Sequence, residues 1–556
     1  MSKSRPIVQI RDKLEQIVGM KPEHPEREEW GDYAVFMKPG KEADEIVNKL
    51  GKVEFVESVT RVGSFINVRL KNAYLVSQLD RVLSTQNAVL RGRKIVVEYS
   101  SPNIAKHFGI GHLRSTIIGQ ALYNIYKFLG YEVVGDNHLG DWGTQFGKLL
   151  YMMDKEGISA TAEINLAKLE ESYIIYHKLS EEDRGLDEEA RRWFKRLEDG
   201  DKTARQLWQK CVDVSMVEFE RIYNLLEVKM DNAYGESYYE KIMPEVIAEA
   251  KKKGIAKESQ GAWIIDIPGQ KTPLVLVKSD GATLYATRDL ATLKFRRQKW
   301  DADIIIYEVG AEQTLHFEQV FAAAKMLGYI RSGCSLIHTK HGLYLGADGK
   351  KFATRQGKTI KLEEVLKEAI DRARKLGNSD EETACAVGIG AIKYFDLSHN
   401  VQSDIVFDWE KVMALEGNSG PYLQYTFART QSVLRKAGTT PELRSSPPKL
   451  GGERGVVNEE ELRVLRWIYR WPEVVEEAAQ RFAPNLVCNF IYELAQRFNS
   501  FYNKHRILTP SESPPNLGGD AEGEGVRHFR LALTDAVGRV LKAGLEMLGI
   551  KALERM

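Results

Sequence analysis

The sequence predicts a mixed α/β chain in three packing units: a small α+β unit over residues 1–90, a parallel-sheet α/β unit over 91–382, and an all-α bundle over 383–556. Three observations carry this. Short β-branched runs alternate with helical stretches through the middle of the chain, as strands joined by crossover helices do. After about residue 383 the strand signals stop and apolar residues recur at helical spacing. The first 90 residues mix one helical stretch with alternating segments set between glycines.

Taken in order, Ala43 to Leu50 reads as a helix, and Val53 to Val56 and Phe65 to Leu70 read as strands, punctuated by Gly31, Gly51 and Gly63. Lys94 opens the middle unit, where Ile95 to Tyr99 is a β-branched run followed by a Ser-Ser-Pro-Asn turn and a helix from about Gly111 to Leu129. Further strands are expected at Tyr131 to Val134, Ile304 to Val309 and Ser335 to His338. Residues 155–230 are charged and helical in period, and read as a helical insertion beside the sheet with no chemistry of its own. In the last unit Val487, Phe490, Ile491, Leu494, Phe498 and Phe501 share one helical face, and Phe529, Leu533, Val537, Val540, Leu541 and Leu548 share another. The Pro/Gly/Ser-rich stretches Thr439 to Gly455 and Thr509 to Gly525 read as exposed connections.

Composition narrows the class of function. Across 556 residues, 43% are apolar and 28% charged, enough to build cores, so disorder is not the default. The net charge of +1 gives no global pull toward a polyanion, and from residue 415 onward 19 Lys and Arg face 17 Asp and Glu. Cys211, Cys334, Cys385 and Cys488 are scattered without zinc or disulfide spacing, which fits a reducing cytoplasm and argues against structural zinc. The start has no signal-peptide core and no run of about 18 apolar residues follows, so neither export nor membrane insertion is expected. No fixed repeat period emerges.

The chemistry concentrates in the loop Glu98-Tyr-Ser-Ser-Pro-Asn-Ile-Ala-Lys-His-Phe-Gly-Ile-Gly-His-Leu-Arg-Ser-Thr116, between a strand and a helix. Ligands of open α/β sheets bind beyond the carboxyl ends of the strands, where a helix N-terminus offers free N–H groups to phosphate. Gly109 and Gly111 permit close approach, and Lys106 and His112 add groups that can meet an anion. There is neither a GxxxxGK[ST] loop nor a GxGxxG turn, which weighs against a simple NTPase or a nicotinamide enzyme. Later comes the basic loop Gly349-Lys-Lys-Phe-Ala-Thr-Arg-Gln-Gly357. Alone, the first cluster is a tight turn and the second a solvated basic turn; together they point to a nucleotide.

SPNIAK followed by GIGHLRST resembles the HIGH region of class I aminoacyl-tRNA synthetases, and KFATR resembles a degenerate KMSKS loop. The detailed resemblance is to arginyl-tRNA synthetases. It extends through Asn137-His-Leu-Gly-Asp-Trp-Gly-Thr-Gln-Phe-Gly147, Gly235-Glu-Ser-Tyr-Tyr239, Lys278-Ser-Asp-Gly281, Tyr285-Ala-Thr-Arg-Asp289 and Glu416-Gly-Asn-Ser-Gly-Pro-Tyr-Leu-Gln-Tyr425 to the ending Glu554-Arg-Met556. The resemblance implies a Rossmann-like class I catalytic domain, an N-terminal domain that meets the tRNA corner and a C-terminal anticodon-binding bundle. It implies a reaction in which the arginine carboxylate attacks the α-phosphate of ATP, accompanied by Mg²⁺, releasing pyrophosphate. A terminal ribose hydroxyl of tRNA(Arg) then takes the arginyl group. No prosthetic group is implied, and with no oligomerisation signal a monomer is the default.

By the same resemblance, Lys106, His112 and Lys351 stabilise charge on the phosphates, while Gly109, Gly111, Thr354 and Arg355 complete the ATP site. Tyr285 and Asp289 hold the guanidinium, which a carboxylate accepts in bidentate fashion. Glu98, Ser101, Asn103, His112 and Gln313 hold the α-amino and carboxylate end. Tyr422, Tyr425, Arg429, Phe498, Tyr502 and Arg506 are candidates to stack on unpaired tRNA bases, although helical spacing also suits a core role. Two departures stand out: Gly109 replaces the first histidine of HIGH, and Phe352, Ala353, Thr354 and Arg355 replace most of KMSKS. His107 is a candidate to supply the missing ring.

Local readings compete with these roles. Asp289, before Leu-Ala-Thr-Leu, also reads as a helix N-cap. Asp141 and Trp142 read equally as a structural turn and as a wall of the ATP site. His338 and His341 lack a third ligand and are not expected to bind metal. A nucleotidylyltransferase of the HxGH superfamily would leave the helical bundle unexplained, and a relative that binds tRNA without charging it would not need the arginine-pocket residues.

Overall fold

The computed structural model describes residues 10–79, 82, 92–183, 185–346, 348–350, 360–377, 380–438, 457–508 and 521–556. At the N-terminus helix α1 (Ile10–Val18) precedes a three-stranded antiparallel sheet in the order β1-β3-β2, built from Tyr33–Phe36 (β1), Val56–Val62 (β2) and Phe65–Leu70 (β3). Helix α2 (Lys41–Leu50) covers it, with Ala43, Ile46 and Leu50 buried. The strand expected from Val53 starts only at Val56, because the Val53 N–H donates back to Leu50 and the chain is still turning there. Helix α3 (Asn72–Ser77) closes the unit.

The middle unit opens with Lys94–Glu98 (β4), helix Ile110–Phe128 (α4) and Glu132–Asp136 (β5), the strand-loop-helix-strand order anticipated. Helix α5 (Thr144–Lys155) leads into the insertion, which is helical as expected and consists of α6 (Leu166–Glu182), α7 (Leu186–Glu198) and α8 (Lys202–Leu225). Helix α9 (Met243–Lys252) and a three-stranded antiparallel sheet follow, Ala256–Ser259 (β6), Ala262–Ile265 (β7) and Leu274–Val277 (β8). This sheet was not anticipated, since each run has only 4 residues and none alternates cleanly. Helix α10 (Tyr285–Lys299), β9 (Ile304–Tyr307), α11 (Thr314–Leu327) and β10 (Ser335–His338) complete a four-stranded sheet in the order β10-β9-β4-β5, parallel throughout. Ile95, Val97 and Ile306 at its centre are fully buried, as parallel strands covered on both faces require.

Beyond it, β11 (Tyr344–Leu345), α12 (Leu362–Gly377), α13 (Glu381–Leu397) and β12 (Ile405–Val406) link the sheet to the bundle. β11 and β12 pair in parallel, so one strand of 2 residues does follow residue 383 where none was expected. The short α14 (Trp409–Val412) precedes the bundle of α15 (Gly420–Lys436), α16 (Glu459–Ile468), α17 (Trp471–Gln480), α18 (Asn485–Lys504) and α19 (Ala521–Met547). Both anticipated apolar faces are buried in it. Residues 439–456 and 509–520, which hold most of the expected connections, lie outside the described residues. Among the described residues no helix is long and apolar enough to cross a membrane.

Buried charge joins the units. Asp32 accepts the Leu70 N–H at 2.7 Å and pairs with Arg466 of the bundle, while Glu473 accepts from Tyr33, His24 and Arg11 at 2.5, 3.0 and 3.4 Å. Removing one partner of such a pair strands the other, at roughly 3–5 kcal/mol. Lys393 on α13 is 1% exposed and donates to two carbonyls, Leu226 at the end of α8 and Gly549 in the C-terminal tail; burial pushes its pKa down to about 8.

Candidate active site

β4 and β9 lie side by side at the centre of the sheet, and their crossovers depart in opposite directions, β4 through α4 to β5 and β9 through α11 to β10. Such a switch point leaves a crevice beyond the strand ends. The segment leaving β4 carries three non-glycine residues in left-handed backbone, Ser100 (φ 72°), Ser101 (φ 47°) and Ala105 (φ 63°). Each costs on the order of 1–3 kcal/mol and persists only where neighbours over-determine it. Here Ser100 N–H donates to Ser115 Oγ at 3.0 Å, Ser101 N–H to Asn137 Oδ1 at 3.1 Å and Ala105 N–H to Ser215 Oγ at 2.9 Å. Ser100 Oγ also meets Tyr223 Oη at 2.8 Å. Ser215 and Tyr223 belong to α8, so the insertion braces this loop, a role its charge pattern did not suggest.

One cleft, about 430 Å³, is lined by Glu98, Ser101, Asn103, Tyr285, Asp289 and Gln313, all expected there. The structure adds Glu236, His138 and His316 to its wall. Gly140 also lines it, and a Cβ there would lie 2.2 Å from Asn103 Oδ1, so a larger residue would displace the Asn103 side chain. Asp289 sits a full turn inside α10, whose N-cap is Leu284, so the capping alternative is wrong; no side chain caps this helix. Ser101 Oγ and both ring nitrogens of His138 are buried without a hydrogen-bond partner.

Acid dominates this cleft. Arg296, fully buried on α10, bridges Glu98 and Asp136 at 2.5 and 2.6 Å, so two carboxylates share one guanidinium. Burial holds both of their pKa values above the ordinary range despite Arg296. Burial also lifts Glu236 to about 8, although Arg288 pairs with it at 2.9 Å, since Asp289 and Asp141 add like charge. Burial alone would lift Asp289 too, but its hydrogen bond from His316 and that ring's charge outweigh it and hold the carboxyl low. A cation with several N–H donors is the ligand that relieves this excess.

An adjoining cleft of about 410 Å³ shares Ser101, Asn103, Val309 and Gln313 with the first and runs to the N-terminus of α4. Gly109, Gly111 and His112 line it, and a Cβ at Gly111 would meet nothing within 4 Å. The Gly109 N–H donates to His112 Nδ1 at 3.1 Å, so a neutral His112 carries its proton on Nε2. Ile110 N–H donates to Ile360 O and His112 N–H to Gly109 O, both at 3.0 Å, so of the first amides of this helix Gly111 N–H is the one placed to meet a phosphate. His112 lines only this second cleft. Lys106 lines neither: it is exposed, its ammonium 5.8 Å from the Tyr173 ring of α6. His107 lines neither and pairs with Glu170 of α6 at 3.6 Å. Lys351, Thr354 and Arg355 lie outside the described residues. Asp141 accepts from Ser237 N–H and Oγ at 2.8 and 2.6 Å and lines neither cleft, which favours the structural turn.

A third concavity, about 870 Å³, lies between α15, the end of α18 and the C-terminal tail, lined by Tyr425, Arg429, Tyr502, Arg506, Arg555 and Met556. The Arg429 guanidinium sits 4.9 Å from the rings of both Tyr425 and Tyr502. Tyr422 is outside this groove, its hydroxyl accepting from Asn499 at 2.9 Å, and Phe498 is fully buried, a core residue.

Residues 75–409 match the family model of the catalytic domain of class I tRNA synthetases (R), and 423–556 match that of the DALR anticodon binding domain. The arginine–tRNA ligase of Chloroflexus aurantiacus is 40% identical over 520 residues, covering 90% of this chain and 87% of that protein. That of Halothermothrix orenii is 37% identical over 558 residues, covering 96% and 95%. The crystal structure of the arginyl-tRNA synthetase of Plasmodium falciparum superposes with a TM-score of 0.83 at 23% identity over the whole of both chains, a likeness of fold. With both family models and full-length sequence relatives in agreement, the chain belongs to the arginyl family of class I tRNA synthetases.

Proposed function

We propose that the two adjoining clefts divide the arginine–tRNA ligase reaction between them, the acidic one holding arginine and the one at the α4 N-terminus holding ATP. The observation that carries this is the placement of three carboxylates, Glu98, Glu236 and Asp289, around one cleft that opens into the other. Asp289 takes the guanidinium with Tyr285 beside it, and Glu98, Ser101, Asn103 and Gln313 take the α-amino and carboxylate end. The shared wall then sets the arginine carboxylate toward the α-phosphate. Attack there expels pyrophosphate, and donors on the phosphate oxygens stabilise the charge that spreads in the transition state. His112 is such a donor through Nε2, with the amide at Gly111, while the Gly109 amide fixes the His112 ring. Lys106, Lys351, Thr354 and Arg355 complete the ATP set, with Lys106 swinging inward from its present place.

Among the described residues there is no cluster of three His, Cys, Asp or Glu able to cage a metal. Mg²⁺ belongs to this reaction as a partner of the ATP phosphates, the manner in which it is usually bound. We assign residues 1–90 to the tRNA corner, 91–382 to catalysis and 383–556 to the anticodon, with Tyr425, Arg429, Tyr502 and Arg506 facing RNA from the third groove and Tyr422 supporting it. The enzyme acts as a monomer in the cytoplasm, where its unpaired cysteines stay reduced.

The test is attachment of radiolabelled arginine to total tRNA with ATP and Mg²⁺, beside lysine and glutamine controls. Arginine alone is charged, and Asp289→Ala loses on the order of a thousandfold or more in kcat/KM for arginine. Tight tRNA binding without charging would instead favour a non-catalytic relative.

A further inference from the structure

Glu308, immediately after β9, is fully buried, and a buried carboxylate needs partners. Its two oxygens are engaged by two residues of the segment leaving β10, Thr339 through its hydroxyl and His341 through Nδ1 at 2.8 Å. Lys340, between them, is held in left-handed backbone (φ 62°), which sets Thr339 and His341 on the same carboxylate. The main chain fixes the segment as well, since Ala311 N–H donates to His341 O at 3.0 Å. His341 lines the cleft that Gly109, Gly111 and His112 line.

Its Nδ1–H belongs to Glu308, so Nε2 is the nitrogen left for the cleft. The reaction assigned to that cleft makes no use of this pair. The α4 wall, by contrast, presents one imidazole where the motif it resembles has two, and His107 is turned away to Glu170.

We propose that His341 is a further nucleotide-binding residue, its Nε2 meeting an anionic oxygen of bound ATP in the cleft that His112 also lines, with Glu308 as the positioning residue that fixes its ring. This rests on the reading of the second cleft as the ATP site. The imidazole missing at position 109 is thereby supplied by the segment leaving the edge strand β10.

The experiment measures tRNA-dependent exchange of pyrophosphate into ATP for the full chain and for His112→Ala, His341→Ala, Glu308→Gln and the double variant His341→Ala with Gly109→His. His341→Ala lowers kcat/KM for ATP on the order of a hundredfold, the scale of one lost donor to developing charge, while KM for arginine stays within about twofold. Glu308→Gln gives a smaller loss of the same kind. Gly109→His, which the extended backbone there accepts (φ −89°), restores part of the loss. Unchanged ATP kinetics in His341→Ala, or equal loss for ATP and arginine, overturns the proposal. ATP kinetics untouched in His112→Ala would overturn the reading of the cleft itself.

Discussion

His316 Nε2 lies 2.5 Å from Asp289 Oδ2, so the carboxylate expected to take the guanidinium already has one oxygen occupied. The ring comes from the first turn of α11 and the carboxylate from the second turn of α10; each fixes the other across the mouth of the cleft. Only the free edge of Asp289 remains for the substrate, and His316 decides which way it faces. His316→Asn is expected to raise KM for arginine about tenfold, or about 1.4 kcal/mol, with kcat changed much less. Equal loss in kcat would show instead that His316 acts on the reacting atoms.

Glu236 makes arginine binding depend on pH. With its pKa at about 8 in the free protein, the carboxyl is mostly neutral at pH 7 and must ionise to meet a cation. KM for arginine should fall as pH rises toward 8 and level off above it, and Glu236→Gln should flatten the profile. Stability runs the other way. The folded state holds this proton between the unfolded value near 4.5 and about 8, so the contribution of Glu236 is present below 4.5 and is lost as pH rises through 8. Steady-state kinetics and thermal melts from pH 6.5 to 8.5 read both signs.

Removing Arg296 strands Glu98 and Asp136 in the interior. Arg296→Met is expected to cost roughly 3–5 kcal/mol, seen as a lowered urea midpoint and melting temperature. Adding Asp136→Asn should recover part of it. Recovery absent from the double variant would mean that the guanidinium matters through packing against Tyr307, 5.1 Å away, and not through charge.

The groove beside α15 separates contact from core. Arg429→Ala should raise KM for tRNA about tenfold and leave KM for arginine and ATP unchanged, because the guanidinium sits between two exposed rings. Phe498→Ala should instead lower the melting temperature, at about 3–5 kcal/mol, since its ring is fully buried. Aminoacylation kinetics and melts on the same preparations distinguish the two.

Much of this was legible in the sequence where a signal is local. The period of 3.6 residues gave both buried faces of the bundle, and the β4 to α4 loop announced itself by its density of polar groups. The antiparallel sheet at 256–277 was not legible, since four-residue runs carry too few positions to show a period. Glu236, His138 and His316 were missed because three separate elements bring them to one cleft, and no local pattern records that meeting. The cap alternative at Asp289 arose from its neighbours: an acidic residue before Leu-Ala-Thr-Leu is a good opening for a helix, yet α10 had already begun at Tyr285 without a capping side chain. The docking of the N-terminal unit on Arg466 and Glu473 joins residues more than 400 positions apart, far beyond any window of periodicity.

Lys393 gives the molecule a keystone. Its ammonium clasps the end of α8 on one side and the C-terminal tail on the other. That tail carries Arg555 and Met556 to the rim of the groove beside α15, while α8 carries Ser215 and Tyr223 to the strained loop at the mouth of the clefts. Elements that serve two sites, one at each side of the sequence, thus meet at a single buried nitrogen, so a change at position 393 reaches both supports at once.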